Sequence, residues 1–156
     1  MLERRYAPMA VLWDVGCATG FRVSDLLRLT VSDVQNEHFV INTHLSILER
    51  KTKKQRTILL PQDIRALICS YVQNKGYSDS HLLWPYSRQH VWRLFKLAGV
   101  SPHSMRKTYA WIQLLASASV ADVQSLMLHQ FQSTTLQYLK PGLEFAVNSG
   151  WLDFGA

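Results

Sequence analysis

The sequence predicts a mainly α-helical protein that carries a small three-stranded antiparallel sheet, an α+β fold. Apolar residues recur at helical spacing over most of the chain, while three runs between residues 38 and 60 are rich in strand-forming residues. Of the 156 residues, 47% are hydrophobic. A chain of this length can bury roughly two thirds of its surface. We therefore expect a single domain over residues 1–156.

The first helices are predicted from capping residues and helix breakers. Pro8–Ala18 forms the first helix, which is closed by Gly20. Phe21–Leu29 forms a second, shorter helix, and Thr19 is placed to cap its amino end. A turn at Thr30–Asp33 then leads into the strand-like region.

The strand-like region contains three short runs, His38–Asn42, His44–Lys51 and Gln55–Leu60. The last two flank the polar tip Thr52–Lys54, which indicates a β-hairpin. Joined in chain order, the three runs predict the small antiparallel sheet.

The rest of the chain is predicted to be helical, because capping residues precede each apolar-periodic segment. The first of these helices runs from Pro61 to near Gly76, and the second is capped by Ser87 and stopped by Gly99. The third runs from His103 to about Ala116 and is opened by Ser101 and Pro102. The fourth follows the capping box of Ser119 and Asp122 and runs to Leu128, and the fifth covers Thr134–Lys140 and is begun by Ser133.

The charge balance favours a polyanionic partner. Seventeen Lys and Arg residues face eleven Asp and Glu residues, which gives a net charge of +6 at pH 7. Nucleic acid is the first candidate for such a chain, although many basic proteins bind none.

Composition excludes several other classes of protein. The apolar content excludes a disordered chain. The longest apolar region, Tyr109–Leu128, contains charged and amide side chains and is therefore no membrane span. Cys17 and Cys69 stand alone without metal-ligand spacing, so we expect buried thiols in a reducing compartment rather than a disulfide. No signal peptide is recognised, so a cytoplasmic protein is expected.

A possible anion site lies at the start of the helix that Pro102 opens. His103 and Arg106 are three residues apart and so share a helix face in the first turn. Unpaired backbone N–H groups and the helix dipole favour an anion there, so the pair is a candidate phosphate clamp. The alternative is an exposed histidine beside a surface arginine.

The predicted hairpin tip is rich in cations. Arg50, Lys51, Lys53, Lys54 and Arg56 fall within one short run. A solvated turn explains such a run, and so does contact with the phosphate backbone of duplex DNA. On the second interpretation, Arg50, Lys53, Lys54 and Arg56 bind DNA.

Two further segments contribute to a functional site only if the fold brings them together. Arg22 begins a predicted helix, and Asp25, one turn on, is placed to pair with it. His129 precedes a short helix that carries Tyr138. Such a tyrosine usually packs half-buried. It becomes a nucleophile only where cations and hydrogen-bond donors stabilise the developing charge.

Taken together, these segments resemble the catalytic domain of the tyrosine recombinases, the phage integrase family. The resemblance rests on residue order and local structure and covers Ala7 to about Lys140. The elements that carry it are Arg22 within Thr-Gly-Phe-Arg-Val-Ser-Asp-Leu, Lys51 on the hairpin, His103 and Arg106, and then His129 before Tyr138.

The resemblance implies a mainly helical recombinase catalytic domain that cuts and rejoins double-stranded DNA through a 3′-phosphotyrosine intermediate. It implies no cofactor and no metal. In the full-length form it implies a homo-oligomer, a tetramer on DNA, of bacterial, phage or plasmid origin and associated with the nucleoid. The implied roles are nucleophile for Tyr138, phosphate clamp for Arg22 and Arg106, general acid for Lys51, proton transfer for His103, a phosphate hydrogen bond for His129 and support of the site for Asp25.

The chain departs from the family pattern in several places. Met127-Leu128-His129 stands where the family usually has Leu-Gly-His, and Lys107 follows the second arginine. Lys53 or Lys54 replaces Lys51 as the acid if the hairpin register slips. The N-terminal core-binding domain is expected to be absent, because Arg22 lies close to the start of the chain. The tail, residues 139–156, either docks on a neighbouring protomer or folds back on its own core.

Three alternative functions remain open from the sequence. A type IB topoisomerase-like nicking-closing enzyme uses a similar residue set. A catalytically inactive DNA-binding remnant or regulator retains the scaffold alone. A metal-free nuclease uses the histidines and lysine and leaves no protein attached to DNA.

Overall fold

The structure is a computed structural model of the 156-residue chain, and it describes residues 3–116, 119–127, 135–136 and 139–140. The chain divides into two compact units, Met1–Arg106 and Lys107–Ala156. The elements in chain order are α1 (Glu3–Thr19), α2 (Val23–Leu26), α3 (Val31–Val34), β1 (His44–Leu48), β2 (Gln55–Leu59), α4 (Gln62–Lys75), α5 (Arg88–Leu97), α6 (Pro102–Leu115) and α7 (Val120–Leu126).

The first unit is organised around α1, which packs against α4 and α2. Leu12 and Val15 of α1 and Ile68 of α4 are buried, as the predicted apolar spacing requires. The first turn of α6 also approaches α1 closely. A Cβ atom on Gly16 would collide with Sδ of Met105, so this close approach depends on glycine.

The second predicted helix is shorter than expected, and its cap differs. The hydroxyl of Thr19 donates to the carbonyl of Val15 at 2.7 Å, so it completes α1 and does not cap α2. Gly20 follows with a φ of 62°, a left-handed conformation that ends α1. Arg22 then occupies the N-cap position of α2. The chain therefore turns sharply just before the first candidate site arginine.

The antiparallel sheet has two strands in the described part of the chain, β1 paired with β2, and not the three that the sequence predicts. The run His38–Asn42 makes one isolated bridge, between Gln35 and Ile41. The side-chain Oδ1 of Asn36 accepts the backbone N–H groups of His38 and Val40, each at 3.0 Å. These local bonds close a turn where the sequence predicts an extended strand.

The helices after the hairpin agree closely with the prediction. The hydroxyl of Ser87 accepts the backbone N–H of His90 at 3.2 Å and caps α5. Helix α4 ends at Gly76, and α6 begins at Pro102. Between α4 and α5, Trp84 is buried and stacks on Tyr71.

The described part of the second unit contains the end of α6, helix α7, and helical residues at 135–136 and 139–140. The predicted capping box of Ser119 and Asp122 is confirmed. Its hydrogen bonds lower the pKa of the Asp122 carboxyl, because they stabilise the ionised form.

Two further observations concern the length and polarity of the helices and the two cysteines. No helix in the described ranges is long and apolar enough to cross a membrane. Cys17 and Cys69 carry thiols and are half-buried, which is less burial than the sequence predicts.

Candidate active site

A basic cleft of about 580 Å³ lies within the first unit. Its lining includes His103 and the cations Arg22, Arg50, Lys51, Arg88 and Arg106. The described residues that line it include no carboxylate. A concave surface with one sign of charge attracts and orients an anion.

Arg22 enters the cleft from the N-cap position of α2. Its side chain is 21% exposed and forms an ion pair with the carboxylate of Glu49. The Arg22 side chain is therefore partly open to solvent, while its guanidinium is held by a buried anion.

His103 and Arg106 reach the same cleft from the first turn of α6. His103 is exposed, whereas Arg106 is only 2% exposed. The Nη1 group of Arg106 donates to the carbonyl oxygen of Gly20, which lies 86 positions earlier in the sequence. The predicted pairing of His103 and Arg106 on one helix face thus opens onto a cleft shared with Arg22.

Glu49 is a site residue that the sequence analysis missed. It is fully buried and directly follows β1. Its Oε2 pairs with Arg22, and its Oε1 lies 3.5 Å from Nε of Arg56 and 3.9 Å from Nη1 of Arg106. The available signal was strand periodicity, because Leu45 and Ile47 are buried and position 49 continues that inward face.

The structure places Arg56 differently from the prediction. It was expected among the exposed DNA contacts of the tip, but it is only 5% exposed. Its Nη2 donates to the carbonyl of Thr19 at 2.7 Å, and its guanidinium lies 4.1 Å from the centre of the Phe21 ring. The cause is register, because Arg56 lies opposite Ile47 on the inward face of the hairpin.

Asp25 does not pair with Arg22 as expected. Its Oδ1 accepts the backbone N–H of Arg50 at 3.2 Å and lies 3.8 Å from Nη2 of Arg28. The carboxyl of Asp25 is buried and thereby fastens α2 to the start of the hairpin tip. Arg22 is paired with Glu49 instead.

The hairpin tip is a tight turn whose cations point outward. Its backbone is closed by bonds between Glu49 and both Lys53 and Lys54, at 2.9 and 3.0 Å. Arg50, Lys51, Lys53 and Lys54 are all exposed. Lys51 lines the cleft, whereas Lys53 and Lys54 are not among its lining residues.

Two predicted site residues, His129 and Tyr138, lie outside the described residues. Their roles therefore rest on the sequence. The predicted tail from residue 141 onward lies outside the described residues as well.

Comparison with known sequences finds a matching family model and several relatives. A family model described as the phage integrase family matches residues 3–142. The chain is 29% identical over 142 residues to the probable integrase/recombinase YoeC of Bacillus subtilis (strain 168), which covers 82% of this chain and 75% of YoeC. It is 31% identical over 137 residues to the tyrosine recombinase XerA of Pyrococcus furiosus, which covers 78% of this chain and 46% of XerA.

Comparison with solved structures identifies the fold. A crystal structure of XerA recombinase aligns with a TM-score of 0.67 at 20% identity, over 92% of this chain and 57% of that one. XerH recombinase bound to a palindromic difH substrate aligns at 0.65 and 21% identity, over 90% and 45%. A lambda integrase dimer bound to a core site aligns at 0.64 and 20% identity, over 84% and 51%. The chain spans about half the length of these neighbours and shares the fold of the matching part.

Proposed function

Because the chain belongs to the phage integrase family, we propose that it is the catalytic part of a site-specific DNA recombinase, which cuts and rejoins double-stranded DNA through a 3′-phosphotyrosine intermediate. The observation that carries this proposal is the convergence of Arg22, Arg106, His103 and Lys51 on one basic cleft. The DNA in the XerH and lambda integrase complexes supports DNA as the partner.

The two arginines suit a phosphodiester that is being attacked. Negative charge builds on the non-bridging oxygens as the phosphorus becomes five-coordinate. Guanidinium groups already held in place stabilise that charge without reorganising. Arg22 and Arg106 are both paired to the buried Glu49, which supports such a fixed arrangement.

The remaining groups carry the nucleophilic attack and the proton transfers. In the proposed reaction the phenolic oxygen of Tyr138 bonds to phosphorus while the bond from phosphorus to the 5′-oxygen breaks. Lys51 gives a proton to the departing 5′-oxygen, and His103 assists removal of the phenolic proton. His129 donates a hydrogen bond to the phosphate.

The same chemistry run in reverse rejoins the strands. A 5′-hydroxyl attacks the phosphotyrosine, the tyrosine leaves, and a phosphodiester is restored. The bond energy is retained in the covalent intermediate, so the proposed reaction uses no cofactor. Exchange of strands between two duplexes requires several protomers, so we expect the full-length protein to act in the cytoplasm as a homo-oligomer, a tetramer on DNA.

The test is covalent trapping on a nicked suicide duplex that carries the target site. We expect an SDS-stable adduct between protein and the 3′ end of the cut strand, and we expect Tyr138→Phe to abolish it. Tyr77→Phe is the matched control, because Tyr77 is not among the residues that line the cleft. An adduct that survives Tyr138→Phe would exclude Tyr138 as the nucleophile.

Because the chain spans about half the length of most of its relatives, the assay is run on this chain and on the complete gene product. The alternatives give different outcomes. A nicking-closing enzyme relaxes a supercoiled plasmid without paired sites. A nuclease leaves free cut ends with no protein attached. A DNA-binding regulator shifts the duplex in a gel but yields neither adduct nor cut ends.

A further inference from the structure

One buried carboxylate lies behind the cleft and takes no direct part in the bond-making and proton-transfer steps proposed above. Glu49 has no exposed surface and is not among the residues that line the cleft. Its oxygens nevertheless approach guanidinium groups from three separate parts of the fold, the N-cap of α2, strand β2 and the first turn of α6. A single anion therefore joins elements that are far apart in sequence.

We propose that Glu49 is a positioning residue that holds Arg22 and Arg106 in the geometry needed to bind the scissile phosphate. The proposal rests on the proposed function for the reaction that the two arginines serve. An arginine has a long side chain with many rotamers, and ordering it costs conformational entropy. A buried carboxylate that fixes both guanidiniums before DNA arrives removes this cost from the transition state.

Arg22 depends on Glu49 more than Arg106 does. The Arg106 side chain is 3% exposed and also donates to the carbonyl of Gly20. The Arg22 side chain is 21% exposed and faces solvent on its open side. Without the carboxylate, Arg22 is free to turn outward, while Arg106 keeps one of its anchors.

Glu49 also fastens the turn that carries the proposed general acid. The hydroxyl of Thr52 donates to Oε2 of Glu49 at 3.3 Å. The backbone of Glu49 bonds with Lys53 and Lys54 and closes the tip. Lys51 lies between these bonds and lines the cleft. Glu49 thus contacts both the two arginines proposed to bind the phosphate and the turn that carries the proposed proton donor.

A role limited to charge balance predicts a different result. Replacing Glu49 with Gln removes a negative charge behind a basic cleft, so the field at the cleft becomes more positive. If charge alone mattered, DNA would bind more tightly and cleavage would hold or rise. A positioning role predicts the opposite effect on the rate, because Arg22 and Arg106 lose their common anchor.

The experiment compares Glu49→Gln with the wild-type chain in single-turnover cleavage of the suicide duplex and in DNA affinity at fixed salt. We expect the cleavage rate per folded molecule to fall about tenfold to hundredfold, while the Kd for DNA changes little. Ile68→Ala, in the buried face of α4, is the control for lost stability alone. If Glu49→Gln does not fold, the double variant Glu49→Gln/Arg56→Gln removes one buried cation with the carboxylate and is measured in the same way.

A second readout needs no DNA cleavage. The side-chain Nε–H resonances of Arg22 and Arg106, assigned with Arg22→Lys and Arg106→Lys, report whether the guanidiniums are ordered. We expect dispersed, slowly exchanging signals in the wild type and the loss of the Arg22 signal in Glu49→Gln. If this change occurs in a chain that never forms an adduct, the positioning role stands and the recombinase function fails.

Two results would overturn the positioning role. The first is a cleavage rate in Glu49→Gln equal to that of the wild type, with both arginine signals retained. The second is a fall in rate and DNA affinity per total protein that matches Ile68→Ala and disappears when both are expressed per folded molecule, since that pattern reports only a smaller folded fraction.

Discussion

The β-hairpin carries two groups of charged residues with opposite surroundings. On its inward side, Glu49 and Arg56 are buried, and Glu49 pairs with Arg56, with Arg22 and with Arg106. These four residues form the inward group. On its tip, Lys53 and Lys54 are exposed, and their ammonium groups form no ion pair in the described part of the chain. The hairpin residues of the two groups are neighbours in sequence and differ mainly in the direction in which the strand points them.

This difference determines what each group can do. A buried ion loses its hydration, so it persists only with a partner in good geometry, and that geometry fixes its direction. An exposed lysine keeps its hydration and its freedom, so it contributes to a long-range attractive field but not to orientation. The inward group is therefore suited to aligning a phosphate, and the tip is suited to attracting a polyanion.

The largest expected effect tests the inward group. Arg106→Ala should slow formation of the covalent DNA adduct by about 10²- to 10³-fold, which corresponds to about 3–4 kcal/mol of lost transition-state stabilisation. Rapid-quench measurement of adduct formation per folded molecule checks this prediction. Arg88→Ala removes an exposed cation from the same cleft and should change the rate far less. A wild-type rate in Arg106→Ala would show that the inward arginines do not act on the phosphate.

An intermediate effect tests pairing inside the same group. Arg56→Met should lower the free energy of unfolding by about 2 kcal/mol, because Glu49 and the Thr19 carbonyl both lose a charged partner. Urea unfolding checks this value. Lys54→Met, on the exposed tip, is the control and should stay within about 0.5 kcal/mol of the wild type. Equal stability of the two variants would show that the buried Arg56 contributes no more to folding than the exposed Lys54.

The smallest effect tests the tip. Lys53→Gln and Lys54→Gln should each leave the unfolding free energy unchanged and reduce the slope of log K for DNA against log salt concentration by about 0.9. Fluorescence titrations at several salt concentrations measure the slope. Arg56→Gln is the matched comparison, and we expect its slope to equal that of the wild type because Arg56 is buried. A reduced slope in that variant would place Arg56 at the DNA surface.

Most helices could be predicted from the sequence because their signals are local. Ser87, the Ser119–Asp122 capping box and Gly76 act on neighbouring backbone groups, and the structure has them where expected. The predicted strand at His38–Asn42 is wrong, because a side-chain bond to Asn36 competes with sheet pairing. Such a competition is decided by whether a partner strand lies alongside, which the local sequence does not reveal.

Only part of the candidate site could be predicted from the sequence. The shared face of His103 and Arg106 follows from helix geometry alone. The convergence of Arg22 with Arg106 depends on contacts between distant segments, and only the family resemblance indicated it. Arg56 belongs to a charge-rich run that is typical of an exposed tip, and Glu49 directly precedes that run, so composition alone does not reveal that either is buried. Strand alternation, extended by two residues from Ile47 to Glu49, separates the inward members from the outward ones.

The close contact between Gly16 and Met105 limits which substitutions the chain tolerates at position 16. Met105 directly precedes Arg106, and any side chain at position 16 must displace it. A substitution at this uncharged residue, which takes no part in the proposed chemistry, therefore forces a shift in the neighbour of Arg106. Mutational tolerance along this chain is therefore set by close packing as well as by charged groups, and we expect Gly16 to accept larger residues poorly although it lies outside the cleft.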